Sequence, residues 1–184
     1  MSAAARLFAA VELPAGVRAA LAGWGERAVG GRAALRAVPP ENLHVTLCFL
    51  GARAEAEAEA IGELVRSCAD GPVALALGPA LWLAPRRPHV LTVAIEDPDG
   101  RLGALQAAVA AALVAGAGFA PEPRPFRPHV TVARVRGGAR VRPGEVTLED
   151  PPVLAFPAAA VTLFRSHLGR DGARYAAVAR APLA

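Results

Sequence analysis

Two copies of one pattern hold the chemistry-bearing residues of this 184-residue chain: His44-Val45-Thr46-Leu47 and His129-Val130-Thr131-Val132. An imidazole titrates near pH 6.5, so at neutral pH one histidine can hold a proton while another accepts one. A base and an acid of that kind suit concerted proton transfer. The threonine hydroxyl two residues on can donate to a phosphoryl oxygen. In phosphoryl transfer the attacking and leaving oxygens lie roughly in line on opposite sides of phosphorus, which fits a symmetric pair of such units. Neither signature has an Asp or Glu within two residues of its histidine, and two histidines alone leave a zinc site short of ligands. The expected reaction therefore needs no metal. Spacing alone leaves open which histidine starts protonated.

Each signature lies in an apolar, β-branched run, the composition of a strand. Side chains at i and i+2 of a strand share a face, about 7 Å apart at a rise of about 3.4 Å per residue. His44 with Thr46, and His129 with Thr131, thus share a face, while Val45, Leu47, Val130 and Val132 point into a core. The signature strands are expected near residues 43–50, stopped by Gly51, and 129–135.

A strand–helix–loop unit precedes each signature. In the first, a strand over Arg6 to Leu13 leads to a helix with Val17, Leu21, Trp24 and Ala28 on one face. In the second, a strand over His89 to Glu96 leads to a helix marked by Leu102, Leu105, Val109 and Leu113. This repeat predicts one domain over residues 1–184, made of two similar lobes about a pseudo-two-fold axis that brings the signature strands face to face. Between the units lie a helix over Arg53 to Ala69 and short strands over Val73 to Leu77 and Ala80 to Leu83. After them come a short strand near Glu145 to Leu148 and a hairpin of Ala159 to Ser166 with Arg174 to Ala179.

Hydrophobic residues make up 54% and charged residues 20%, a globular composition. All 20 Lys+Arg residues are Arg. A lysyl-nucleotide intermediate, a Schiff base and a P-loop lysine are thereby excluded. Any phosphate must be held by Arg, His, hydroxyls or backbone N–H, and guanidinium suits it through paired donors. Arg124, Arg127, Arg134, Arg136, Arg140 and Arg142 form a stretch without acids, either a solvated loop or a positive rim for an anionic nucleotide or RNA end. Candidate base-stacking aromatics are few, namely Phe8, Phe49, Phe126, Phe164, Trp82 and Tyr175, and most of these read as core. His89 and His167 read as structural or rim residues. Cys48 and Cys68 form no disulfide framework, so a cytoplasmic setting is expected. The uncharged stretch from Leu102 to Pro121 reads as a buried helix and its exit rather than a membrane span.

These residues resemble the two-histidine phosphoesterase superfamily and, within it, the bacterial and archaeal RNA 2′,3′-cyclic phosphodiesterases, first described as 2′-5′ RNA ligases. Arg6-Leu7-Phe8-Ala9-Ala10-Val11 looks like the family's opening strand. The stretch from Pro40 through His44 to Gly51 is similar to its first motif region, that from Arg124 through His129 to Arg134 to its second, and Ser166 to Tyr175 to its C-terminal hairpin.

The resemblance implies an α+β fold with two antiparallel β-sheets lining a central cleft and helices outside. It implies metal-free hydrolysis of RNA 2′,3′-cyclic phosphate ends to 2′-phosphates, without a cofactor. His44 would be the proton donor to the departing 3′ oxygen and His129 the proton acceptor that activates water. Thr46, Thr131 and Arg134 would hold the phosphate. Strict alternation points Arg134 away from His129, so its role requires a bulge or a strand end. The implied partner is RNA or an oligonucleotide with a cyclic phosphate end, tRNA fragments included, with no membrane and no obligate protein partner. The alternatives are a phosphodiesterase or ATP-independent ligase acting on 2′-5′ linkages, and a non-catalytic nucleotide or RNA-end binding module.

Overall fold

The computed structural model describes residues 4–84, 87–169 and 172–183. β1 (Ala4–Glu12) leads through Pro14 into α1 (Ala15–Val29), which buries Val17, Leu21, Trp24 and Ala28 and ends on Gly30 in the left-handed conformation. A short β2 (Leu35–Ala37) and a 3-10 turn (Pro40–Asn42) precede β3 (His44–Ala54). Then come α2 (Ala58–Arg66), β4 (Ala74–Leu83) and β5 (Val90–Glu96). α3 (Arg101–Ala117) is capped by Asp97, whose carboxylate oxygens accept from the N–H groups of Leu102 and Gly103 at 3.1 and 2.8 Å. β6 (His129–Val135), β7 (Ala155–Pro157), β8 (Ala160–Gly169) and β9 (Gly172–Pro182) complete the fold.

Every strand pairing is antiparallel, in the order β7-β4-β5-β6-β3-β1-β8-β9, with β2 against β6. One half of this order, β3-β1-β8-β9, is mirrored by the other, β6-β5-β4-β7. The halves meet at one residue pair, Val45 with Val130. The α+β, antiparallel expectation holds, with this junction making the two sheets continuous. α1 packs on β2 and β6, and α3 on β3, so the helix following each half's inner strand supports the signature strand of the other half.

Three local expectations need correction. Gly51 does not stop the first signature strand: it adopts φ 71° within β3, which runs on to Ala54. The two short strands around Gly78-Pro79 are one strand, β4, with an irregularity in its pairing to β5 between Leu77 and Ala80. No strand forms over residues 145–148; a 3-10 turn at Pro143–Glu145 and irregular chain occupy that region.

Candidate active site

His44, Thr46, His129, Thr131 and Arg134 all line one cleft of about 140 Å³ on the sheet face opposite Val45 and Val130. The junction explains the arrangement. Carried one residue either way, the Val45–Val130 register sets His44 opposite Thr131 and Thr46 opposite His129. Each imidazole is thus flanked by a threonine on its own strand and by one across the junction.

The two histidines are anchored alike. His44 Nδ1 is 2.8 Å from the Asn42 carbonyl oxygen, and His129 Nδ1 is 2.8 Å from that of Arg127. A carbonyl only accepts, so each Nδ1 carries the proton and each Nε2 is the atom free to exchange one. His44 Nε2 lies 3.1 Å from Thr46 Oγ1, which donates to it when the ring is neutral.

A bulge answers the alternation problem at Arg134. Thr92 pairs with Thr131, but Leu91 pairs with Ala133, so Val132 is an extra residue in β6. Val132 and Ala133 are both buried, and Arg134 returns to the cleft face. The Val132 carbonyl accepts from the Val38 N–H at 2.8 Å, which ties the bulge to the chain beyond β2. β3 repeats the device: Ala10 pairs with Thr46 and Ala9 with Cys48, leaving Leu47 extra. Leu47 and Cys48 are buried in succession, and Phe49 emerges 48% exposed beside the cleft. An extra residue inverts the alternation beyond it, which is why the fifth position after each histidine shares its face.

Beyond the signatures, the two sides of the cleft differ. His44 stands among aromatic rings, with Phe8 at 4.9 Å and Tyr175 edge-on at 5.3 Å between centroids. Asn42 Nδ2 donates to the Ala173 carbonyl at 2.8 Å and ties the β8–β9 hairpin to the turn that anchors His44. Burial pushes the His44 pKa down from 6.5 to about 4; the positive charges of Arg134 and His129 act the same way, and the Asn42 carbonyl opposes them. On the other side, β5 sets only Ala94 and Thr92 beside His129 and Thr131.

The cleft opens into a second recess of about 460 Å³ whose wall includes Arg6, Phe49, Ser166 and Leu168. Arg36, directly opposite Arg134 in the β2–β6 pairing, lines both spaces. No Asp or Glu is among the described residues lining either one. Of the six arginines between Arg124 and Arg142, Arg134 alone lines the cleft; Arg127 contributes a carbonyl, and neither His89 nor His167 reaches it.

Sequence reasoning missed Arg36 and Asn42; of its candidate stacking aromatics, Tyr175 lines both spaces and Phe49 the second. Phe49 carried a usable signal, since it follows His44 by the interval at which Arg134 follows His129. Among the described residues no group of three or more His, Cys, Asp or Glu could hold a metal, and no helix is long and apolar enough to cross a membrane.

A strand-built cleft with two His-x-Thr units facing each other across a sheet junction is that of a two-histidine phosphoesterase. The chain belongs to the 2′-5′ RNA ligase superfamily, whose sequence profile matches residues 17–170. A relative from Aeropyrum pernix, named RNA 2′,3′-cyclic phosphodiesterase, is 34% identical over 146 residues, covering 77% of this chain and 82% of its own. The crystal structure of a Thermus thermophilus protein superposes with a TM-score of 0.80 at 30% identity, covering 97% of both chains. That of Escherichia coli LigT complexed with 3′-AMP superposes with a TM-score of 0.79 at 27% identity, covering 98% of this chain and 99% of its own.

Proposed function

We propose that this chain hydrolyses 2′,3′-cyclic phosphate ends of RNA to 2′-phosphomonoesters, without a metal, through His44 and His129. The observation that carries the reading is the pair of equivalent sockets. Each presents an Nε2 whose ring is oriented by a carbonyl on Nδ1, with a threonine beside it, in a cleft whose described lining has arginines but no carboxylate.

His129 Nε2 takes a proton from water as the water oxygen bonds to phosphorus. The bond from phosphorus to the ribose 3′ oxygen breaks, and His44 Nε2–H delivers its proton to that oxygen. Thr46, Thr131 and Arg134 hold the non-bridging oxygens, where negative charge collects. Before substrate binds, His44 is neutral at pH 7, since burial holds its pKa at about 4. A bound phosphodiester supplies the negative charge that stabilises the imidazolium, so substrate and proton enter together. Phe49, exposed beside the cleft, is a platform on which the terminal base stacks.

On this reading residues 1–184 form one catalytic domain, each half supplying one proton-transfer socket. RNA fragments, tRNA pieces among them, are the proposed substrates. The cytoplasm is the proposed setting, in keeping with Cys48 and Cys68 as free thiols.

The test is a panel of cyclic-phosphate RNA, 2′,3′-cyclic nucleotides and 2′-5′ dinucleotides, incubated with and without chelator, with the product phosphate position read by NMR. A 2′-phosphate product formed equally in chelator is the expected result. Turnover of 2′-5′ dinucleotides alone would move the activity to that linkage. Binding without turnover of any substrate would leave an RNA-end binding module.

A further inference from the structure

The second recess is larger than the reaction cleft and is not needed to hold a cyclic phosphate. Among the described residues, its lining carries arginines and no carboxylate. Arg6 lies directly opposite Ser166 in the β1–β8 pairing, so a guanidinium and a hydroxyl share the recess face. The Arg6 guanidinium carbon stands 5.5 Å from the centre of the Phe49 ring. At the other end Arg36 stands abreast of Arg134 in the β2–β6 pairing, and both line the recess. The recess thus continues the basic lining of the cleft outward past Phe49. Its wall comes mainly from β1, β3 and the β8–β9 hairpin, with Arg36 and Arg134 at the cleft end.

We propose that this recess is a subsite for the RNA strand leading away from the reacting end, in which Arg6 with Ser166, and Arg36 nearer the cleft, bind phosphates that do not react. The inference rests on the RNA cyclic phosphodiesterase reading above. It adds a direction: the 5′ body of the RNA runs over β1 and the β8–β9 hairpin. It also adds a preference, for oligonucleotide ends over mononucleotides. A backbone phosphate recurs at every nucleotide whatever the base, so the subsite reads strand length and not sequence.

The experiment compares kcat/KM on a tetraribonucleotide with a 2′,3′-cyclic phosphate end and on the cyclic mononucleotide with the same base, across a salt series. The wild-type protein is expected to favour the tetranucleotide by about tenfold or more at low salt, with a steeper salt dependence. Arg6→Met is expected to collapse most of that ratio and to flatten the log–log salt slope on the tetranucleotide by about 0.7, the value of one phosphate contact on a single strand. Arg6→Lys, which keeps the charge, is expected to retain the slope. A neutral methylphosphonate at each internal linkage in turn should weaken the wild type at one position and leave Arg6→Met indifferent there.

Equal losses on both substrates with Arg6→Met would assign Arg6 to the terminal nucleotide and overturn the subsite. So would a wild-type ratio near one. If the wild type turns over neither substrate, the catalytic reading fails by itself. The subsite is then judged by titrating a 2′-phosphate-ended tetranucleotide against the 2′-mononucleotide, with the same change in ratio expected in Arg6→Met and an unchanged ratio overturning it.

Discussion

His44 and His129 hold their Nδ1 atoms at the same distance, 2.8 Å, from a carbonyl oxygen two residues back in the chain. The shared anchor fixes one tautomer in both rings and directs both Nε2 atoms to proton exchange. His44→Ala and His129→Ala are each expected to lower kcat/KM by about 10² to 10⁴, the usual worth of a positioned acid or base. Both variants should keep the wild-type circular dichroism and melting transition. Turnover of cyclic-phosphate RNA undiminished in either would remove that histidine from the mechanism. Nitrogen NMR of the ring, at a pH above the titration, should find the proton on Nδ1 in both.

Burial sets a pH dependence with a definite sign. The folded-state pKa of His44, about 4, lies below the unfolded value of 6.5, so between those values the unfolded chain binds the extra proton. Stability therefore rises with pH across that window and is fully present above it. The linked change is up to about 3 kcal/mol. Denaturant titrations at pH 4.5 and 7 are expected to differ less in His44→Gln than in the wild type. An identical difference in the two proteins would locate the titrating group elsewhere.

The same depressed value predicts proton uptake when an anion fills the cleft. Calorimetric titration of a 2′-phosphate-ended nucleotide at pH 7, in buffers of different ionisation enthalpy, should register uptake that His44→Gln reduces. Uptake equal in both proteins would mean that His44 stays neutral in the complex.

Arg134 faces the cleft only because Val132 is extra in β6. Arg134→Lys is expected to behave more like Arg134→Ala than like the wild type, since a point charge cannot reproduce a paired-donor grip on phosphate. A fall of about 10²-fold in kcat/KM is expected for both, carried mainly in kcat if the grip tightens as the phosphorus centre gains charge. A wild-type rate in the lysine variant would show that charge alone suffices.

Phe49→Ala is expected to cost about 1 to 3 kcal/mol in kcat/KM on nucleotide substrates, the range of one base–aromatic stack. Phe49→Trp should restore most of it. An equal loss in the alanine and tryptophan variants would mean that the ring supports the strand rather than the base.

The repeated His-x-Thr, the helices that follow β1 and β5, and the closing hairpin were legible in the sequence because each has a period or a punctuation. Less legible were features that depend on a partner strand. β2 has three residues and exists through its pairing with β6, so Arg36 had no periodic context to mark it. β7 is equally short, ends in Pro157 and pairs only at the sheet edge, where proline is tolerated. A bulge or strand end was required for Arg134, but the positions of the bulges were out of reach for the same reason: one strand alone has no register to slip against. Without them strict alternation turned Arg134 away from the cleft. Asn42 and Tyr175 enter the site through the hairpin's contact with a turn far off in sequence.

The duplicated bulge also bears on which histidine is the acid. Both imidazoles have the same tautomer and the same kind of anchor, and through five residues their strands run through the same sequence of buried and cleft-facing positions. The strand patterns diverge two residues after each extra residue, at an aromatic ring in one and a guanidinium in the other. The shared anchor does not by itself separate donor from acceptor; the two stations differ in the burial and aromatic rings around His44 and in the residues that follow each slip. A chain built this way can exchange what it recognises while leaving its proton-transfer apparatus untouched.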